Sequence, residues 1–187
     1  MFRYLTTALA AAILSLPAWA QQSNTQDKPF DVQSSVGDMH VGKDADARKA
    51  GLPLYPGARP KVEKDNDPLN FGILTDSFGL KVVIAKYESG DSPDKVIAYY
   101  RDKLKKYGKV LECHSQKHGG DVDVHDDDKD SKGSKELKCE ESSGPVTELK
   151  VGTEDNQHVV AVEPPDAGKG SIFAIVYVYT RGKRGDL

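Results

Sequence analysis

Residues 170–180 read GSIFAIVYVYT, a run in which β-branched and aromatic side chains follow one another with little polar interruption. Side chains of a strand point alternately to the two sheet faces, so a strand with one solvated face carries polar residues at every second position. Residues 172–179 are instead apolar on both faces. The sequence therefore predicts a strand in the centre of a sheet, with one face under a helix.

Shorter runs with a period of two precede this strand. Turn-forming pairs such as Gly144-Pro145 and Asp155-Asn156 separate them, and connections this short make neighbouring strands antiparallel. Further upstream, two runs with β-branched and aromatic residues flank a turn at Asp76 and are predicted to form a hairpin. The predicted strands are KVLECHSQ, KELKCEES, VTELKVGT and NQHVVAVEP, and the hairpin pairs LNFGILTD with FGLKVVIAKYES.

Residues 91–108, DSPDKVIAYYRDKLKKYG, carry a helical pattern. Ser92 is a favourable N-cap, Pro93 suits the first helical position, and Gly108 ends the helix. One helical face is apolar and the opposite arc is basic. The basic arc is a solvated face or, alternatively, a docking surface for an anionic partner. The apolar stripe comprises Val96, Ile97, Tyr100, Leu104 and Tyr107, and the basic arc comprises Lys95, Arg101, Lys103, Lys105 and Lys106.

These elements predict an α+β fold, with a meandering antiparallel sheet of about five to seven strands and one long amphipathic helix packed on one face. The domain is expected to span residues 51–181, with a flexible acidic loop at 117–134. Residues 21–50 are polar and short of bulky apolar side chains, which predicts a linker or a loosely attached arm. Residues 182–187 read as a polar tail.

Residues 1–20, MFRYLTTALAAAILSLPAWA, have the composition of a secretory signal peptide. Arg3 precedes an apolar stretch, and Ala18 and Ala20 supply the small residues for cleavage before Gln21. The alternative is an uncleaved anchor. No later apolar run reaches membrane length, so no membrane span is expected after cleavage. We therefore expect a periplasmic or secreted protein of bacterial origin.

Charge and cysteine content narrow the function further. The chain of 187 residues carries a formal net charge of −3, which argues against a nucleic-acid partner. Its two cysteines, Cys113 and Cys139, are predicted to form a disulfide, because the chain reads as exported into an oxidising compartment. Two thiols that bind a metal are the competing interpretation.

Three segments together resemble a known type of protein. GLPLYPGA, DSPDKVIAYYRDKLKKYG and GTEDNQHVVAV are similar to segments of small exported bacterial domains of uncharacterised function. In those domains a Tyr-Pro-Gly-Ala turn precedes a Ser-Pro-capped helix with a paired-aromatic core. The resemblance covers residues 51–180. It implies an envelope or secreted location and carries no known catalytic residues.

A polar run that begins at residue 118, HGGDVDVHDDDKDSKG, is the strongest candidate metal site. The EF-hand pattern fails, because neither reading frame supplies glycine at position six and glutamate at position twelve. A zinc or copper site would recruit His114, His118 and His125, helped by the carboxylates of Asp121 and Asp123. Interleaved lysines instead indicate a hydrated loop. We predict no cofactor, and a weak divalent-cation site within residues 114–130 is the alternative.

The tyrosine content raises the question of an amphipathic ligand groove. Tyrosine presents an apolar ring with a polar tip, which suits peptides, glycans or small ligands, although large core side chains that reach the surface explain the same content. Tyr99 and Tyr179 are the groove candidates, together with His158. His158 reads either as a satisfied strand histidine or as a catalytic base with a partner such as Asp91.

Function is thereby narrowed to three hypotheses. The first is a non-enzymatic binding or envelope-associated module that engages an unknown protein, glycan or small ligand through the sheet. The alternative is divalent-metal binding through residues 114–130, and the third is a hydrolase built around His158. Nucleophile elbows, zincin helices and phosphate loops are absent from the sequence, so we favour the first.

Overall fold

The computed structural model describes residues 29–43, 45–61, 68–116, 136–139, 143–165 and 168–182. Within these ranges the chain is mostly β, with one antiparallel sheet of nine strands. The first five strands are β1 (Phe30–Ser34), β2 (Gly37–Gly42), β3 (Arg59–Pro60), β4 (Leu69–Thr75) and β5 (Gly79–Ser89). After the helix α1 (Pro93–Leu104) and a 3-10 turn (Lys105–Tyr107) come β6 (Leu111–Ser115), β7 (Val146–Thr153), β8 (Asn156–Glu163) and β9 (Ser171–Arg181).

The strands lie in the spatial order β1-β2-β4-β5-β9-β8-β7-β6, and β3 pairs separately with β5. The final strand therefore lies between β5 and β8, so the prediction of a central β9 is confirmed. Strands β5 and β9 pair over their whole length, from Gly79 opposite Arg181 to Ser89 opposite Ser171. The hairpin predicted around Asp76 is also confirmed, as β4 and β5.

The predicted fold class is wrong in both of its parts. The sheet has nine strands rather than five to seven, and the helix is short rather than long. α1 has 12 residues and the 3-10 turn adds three, because Gly108, with a φ of 139°, ends the helical path. The part of the chain that the structure describes is mainly an antiparallel sheet, with one short helix on part of one face.

The additional strands come from segments that carry weak local patterns. Within residues 21–50, for which the sequence predicts a linker or a loosely attached arm, the described part contains the β1–β2 hairpin. Strand β2 pairs with β4 from Gly37 opposite Thr75 to Gly42 opposite Asn70. One of the two partners of β2 is thus distant in sequence, so a local reading of the sequence misses the strand.

One face of the sheet, called here the helix face, carries the core. α1 contacts β7, β8 and β9 on this face. Strand residues directly opposite one another share a face, and Ala85, Ile175, Val160 and Leu149 form one such row beneath the helix. All four are buried. Four of the five residues of the predicted apolar stripe are buried, namely Val96, Ile97, Tyr100 and Leu104, whereas Tyr107 lies in the 3-10 turn and is half-buried.

Residues 45–58, the anchor segment, cross the helix face beside α1. Tyrosine hydroxyls hold its backbone, since Ala47 N donates to Tyr87 Oη at 2.9 Å and Tyr107 Oη donates to the Gly51 carbonyl at 2.6 Å. Tyr100 Oη accepts from one backbone amide of the segment and donates to one of its carbonyls. These bonds satisfy backbone groups that burial would otherwise leave without water. Much of the tyrosine content therefore serves the core.

The two sulfur atoms form the disulfide that the sequence predicts. Cys113 on β6 and Cys139 are bonded, with their Cα atoms 5.4 Å apart. This bond crosslinks residues 136–139 to the β6 edge of the sheet. Within the residues that the structure describes, no helix is both long enough and apolar enough to cross a membrane.

Candidate functional site

Five side-chain positions form one row across five neighbouring strands on the helix face. Asp31 on β1 is opposite His40 on β2, which is opposite Gly72 on β4. Gly72 is opposite Lys81 on β5, which is opposite Tyr179 on β9. The row thus places a carboxylate and an imidazole on one side of a glycine, and an ammonium and a phenol on the other.

Gly72 opens a groove in the middle of this row. A Cβ atom at this position would meet only the Leu80 carbonyl oxygen, at 3.9 Å, so the space above the glycine is open. The groove has a volume of about 570 Å³. Its lining includes Lys49 from the anchor segment, together with Asn70 and Leu74. A volume of this size falls in the range of small-molecule sites in proteins.

One wall of the groove is a chain of three hydrogen-bonded side chains. His40 Nδ1 lies 2.5 Å from Asp31 Oδ1, and Asn70 Nδ2 lies 2.8 Å from His40 Nε2. With the ring proton on Nδ1, His40 donates to Asp31 and accepts from the Asn70 amide. Asn70 is buried and the Asp31 side chain is 60% exposed. The imidazole is fixed at both nitrogens, while the carboxylate still faces solvent.

The opposite wall is cationic. Lys81 Nζ donates to the Lys49 carbonyl at 3.3 Å and lies 5.5 Å from the centre of the Tyr177 ring. The quadrupole of an aromatic ring attracts a cation that lies over its face. The carbonyl contact ties this wall to the anchor segment. Lys49 itself is also one of the residues that line the groove.

His158, one of the three predicted groove residues, lies outside this groove in the core. Its ring stacks on the Tyr107 ring with centroids 3.9 Å apart. The Tyr177 ring also contacts it, with a centroid distance of 4.6 Å. Burial lowers the pKa of His158 to about 4; a hydrogen bond with the Ala50 backbone opposes this shift, and the charge of Lys106 adds to it. The ring is therefore neutral and packed at neutral pH.

Asp91, which the sequence offers as an acidic partner for His158, is engaged elsewhere. It accepts hydrogen bonds from Lys95 Nζ at 2.7 Å and from Tyr55 Oη at 2.9 Å. These two hydrogen bonds lower the pKa of the Asp91 carboxyl below its usual range, and the bond from Lys95 has the larger effect. Asp91 therefore does not serve as the acidic partner of His158.

The two predicted tyrosines have different positions. Tyr99 packs edge-on against Tyr55 and Tyr100, with ring centroids 5.1 and 5.0 Å away, and its hydroxyl donates to the Leu54 carbonyl at 3.3 Å. Tyr179 lines the groove described above and is half-buried. Of Tyr99, Tyr179 and His158, the structure therefore brings only Tyr179 to the groove.

The predicted metal ligands, His118, Asp121, Asp123 and His125, lie outside the described residues, as does the loop at 117–134. Metal binding there stays a prediction. His114, at the start of the alternative range 114–130, lies on β6 with its Nδ1 atom 3.5 Å from Thr147 Oγ1. Among the residues that the structure describes, no group of three or more His, Cys, Asp or Glu side chains is placed to hold a metal ion.

The sequence reading missed most of the groove, including Asp31, His40, Asn70, Gly72 and Lys81. A signal was present in FDVQS and GDMHVG, where apolar and polar residues alternate. These two runs were too short and too polar to suggest strands without their β4 partner.

Comparison with known proteins gives no relative for this chain. No protein-family model, curated protein or solved structure matches it.

Proposed function

We propose that this chain is an exported bacterial binding module, without catalytic activity, that takes its ligand in the groove above Gly72. The observation that carries the proposal is the row of Asp31, His40, Gly72, Lys81 and Tyr179. Polar groups of opposite charge flank a bare stretch of sheet there. A concave site with a few convergent polar groups is the usual form of a ligand site.

Both nitrogens of the groove imidazole already have partners, which supports binding rather than catalysis. His40 contacts Asp31 through Nδ1 and Asn70 through Nε2. A general base needs a free nitrogen within hydrogen-bond reach of the proton that it removes. The arrangement fixes the ring as part of a wall.

Export is supported by the N-terminal composition and by the disulfide. Disulfides persist in oxidising compartments and are rare in the cytosol. In a bacterial host, mass spectrometry of the protein from the periplasmic fraction and the culture medium checks this part of the proposal. We expect a chain that begins at Gln21, and recovery of only the uncut chain from the cytoplasm would contradict export.

Filling the groove tests the binding proposal. Gly72→Phe places a ring where the structure leaves open space, and the backbone there needs no positive φ. The matched control is Gly90→Phe, because Gly90 is also a glycine with no atom near its Cβ position but lies outside the groove. Protein-observed NMR with a library of small acids, amines and sugars provides the measurement.

We expect fragment-induced shifts to cluster at the backbone amides of His40, Gly72, Lys81 and Tyr179. Gly72→Phe removes the cluster and Gly90→Phe leaves it unchanged. Shifts that cluster elsewhere, or that survive Gly72→Phe, would contradict the groove as the binding site.

A further inference from the structure

The groove has two chemically different walls at a defined separation. Neighbouring strands lie about 4.8 Å apart, so the Cα atoms of His40 and Lys81, two strands from one another, are separated by roughly 10 Å. The space between them lies over Gly72. A ligand that spans this gap contacts hydrogen-bonding side chains at one end and an ammonium group at the other.

The basic wall selects an anionic group. Lys81 is exposed and its side chain is positioned by the Lys49 carbonyl and the Tyr177 ring. Ammonium groups form their strongest hydrogen bonds with carboxylates and phosphates. The anion would lie beside Lys81, on the side of the groove away from Asp31.

The wall that contains Asp31 and His40 selects hydroxyl groups. Asp31 is a carboxylate with an exposed side chain, and ionised carboxylates accept hydrogen bonds only. Gln33 and Asp38 lie opposite one another in the neighbouring row, and both line the groove. Several acceptors together suit a ligand with several O–H donors.

Competing ligand classes match only one wall. A simple apolar carboxylate would contact Lys81 but would cover Asp31 and Asp38 without giving them hydrogen-bond donors of its own, which costs binding energy. An extended peptide that adds a strand would pair with the edge of β1 rather than lie over Gly72 in the sheet face. A ring with hydroxyls and one carboxylate satisfies both walls, and it can lie against Tyr179.

From this charge complementarity we propose that the ligand is an acidic sugar, either a free sugar acid or a uronic-acid unit of a glycan. This inference rests on the proposed function, because it names the ligand class of the same groove. The carboxylate contacts Lys81, and the hydroxyls contact Asp31 and its neighbours. Binding weakens with added salt, since the ammonium–carboxylate attraction is screened.

Titration of the purified protein with three probes tests the ligand class. The probes are glucuronate, glucose and benzoate, and the measurement is the dissociation constant from NMR shifts of the groove amides. We expect glucuronate to bind about tenfold more tightly than either of the others, because each of those lacks one of the two recognition elements. A trimer of galacturonate added in parallel separates the two sources: tighter binding of the trimer indicates a glycan, and equal binding indicates a free sugar acid.

Variants of Lys81 test the contact itself. Lys81→Met should weaken glucuronate binding about tenfold, and Lys81→Arg should restore it to within about threefold, because only the charge is needed. Lys86→Met is the matched control, since Lys86 lies on the opposite face of β5. Circular dichroism of each variant verifies the fold.

Each other outcome overturns the inference. Equal binding of benzoate and glucuronate excludes an acidic sugar but leaves a ligand groove in place. Absence of binding by all three probes at millimolar concentration also excludes this class. The proposed function itself fails only if the fragment library finds no cluster that Gly72→Phe removes.

Discussion

The helix face of the sheet has a covered half and an open half, and one histidine lies in each. His158, on β8, is buried under the 3-10 turn and the anchor segment, with its ring stacked on Tyr107. His40, on β2, lies in the half that α1 does not contact, and it bonds with Asp31 and Asn70. The same residue type on the same face thus becomes a core ring in one half and a groove wall in the other.

This difference shows that the role of each histidine depends on whether other segments pack over its strand, and not on the sequence of the strand itself. Both histidines sit in strands in which polar and apolar residues partly alternate. The covered half excludes water and makes an imidazole behave as an aromatic side chain, whereas the open half leaves polar groups able to meet a ligand. We therefore expect mutations in the covered half to change stability and those in the open half to change binding.

The largest expected contrast concerns truncation of a side chain in each half. Tyr100 is fully buried, so Tyr100→Ala should lower the free energy of unfolding by about 4 kcal/mol through cavity formation and lost hydrogen bonds. Leu74 is 50% exposed at the groove, so Leu74→Ala should change it by less than about 0.5 kcal/mol. Urea denaturation measures both, and similar losses would break the comparison.

Removal of the disulfide is expected to have the next largest effect, at the β6 edge of the sheet. Cys113→Ser combined with Cys139→Ser opens a loop with a sequence separation of 26 residues, which should cost roughly 3.5 kcal/mol in the chain-entropy model. Wild-type protein with a reducing agent should show the same loss in thermal denaturation. Hydrogen exchange should increase at β6 before it increases at β1, and the reverse order would contradict this assignment.

Acid should destabilise the protein through His158. The folded-state pKa of about 4 lies below the unfolded value of 6.5, so the unfolded chain binds a proton first as the pH falls. The stability contribution of the neutral ring is complete above pH 6.5 and is lost between about pH 6.5 and 4, by about 3 kcal/mol.

Two histidine variants check this pH dependence in urea titrations at several pH values. His158→Phe keeps a ring between the tyrosines and should remove the loss between pH 6.5 and 4. The matched variant His40→Gln should retain it, because the open half does not bury its imidazole as the core does. If His40→Gln removed this loss of stability and His158→Phe did not, the pH dependence would arise from His40 and not from His158.

The smallest expected effect compares two strand glycines. Gly72→Val should raise the free energy of unfolding by about 0.5 to 1 kcal/mol, since Gly72 has open space above it and no positive φ to keep. Gly152 in β7 has a φ of 108°, and its Cβ would overlap the Asn156 carbonyl oxygen. Gly152→Val should therefore destabilise the protein, and thermal melts of the pair test the sign difference.

Local signals predicted part of the fold well. α1 starts at Pro93, where the Ser-Pro pair predicts it, although the Ser92 side chain makes no capping hydrogen bond. Its buried face follows from a repeat visible within three turns. The central place of β9 follows because a strand that is apolar on both faces needs cover on both. The disulfide follows from there being only two cysteines in a chain with an export signal pattern. Each inference depends on residues close in sequence or on a count.

The groove could not be predicted in the same way. Asp31 and Lys81 come together only because β1, β2, β4 and β5 pair in one register, and a shift of one residue would turn every one of these side chains to the other face. Tyr179 was a candidate from its chemistry alone, while Tyr99 and His158, chosen on similar grounds, pack into the core. Residue type did not separate these cases.

The sequence by itself determined the helix, the hairpin of β4 and β5, the central β9 and the disulfide, because short-range periodicity, turn residues and cysteine count carry that information. Only the tertiary structure decided that residues 30–42 join the sheet, that α1 and the anchor segment cover one half of a face, and that Gly72 lies open between two polar walls. These features depend on strand pairings and packing between residues far apart in the chain, and no local pattern specifies which partner a polar strand will meet.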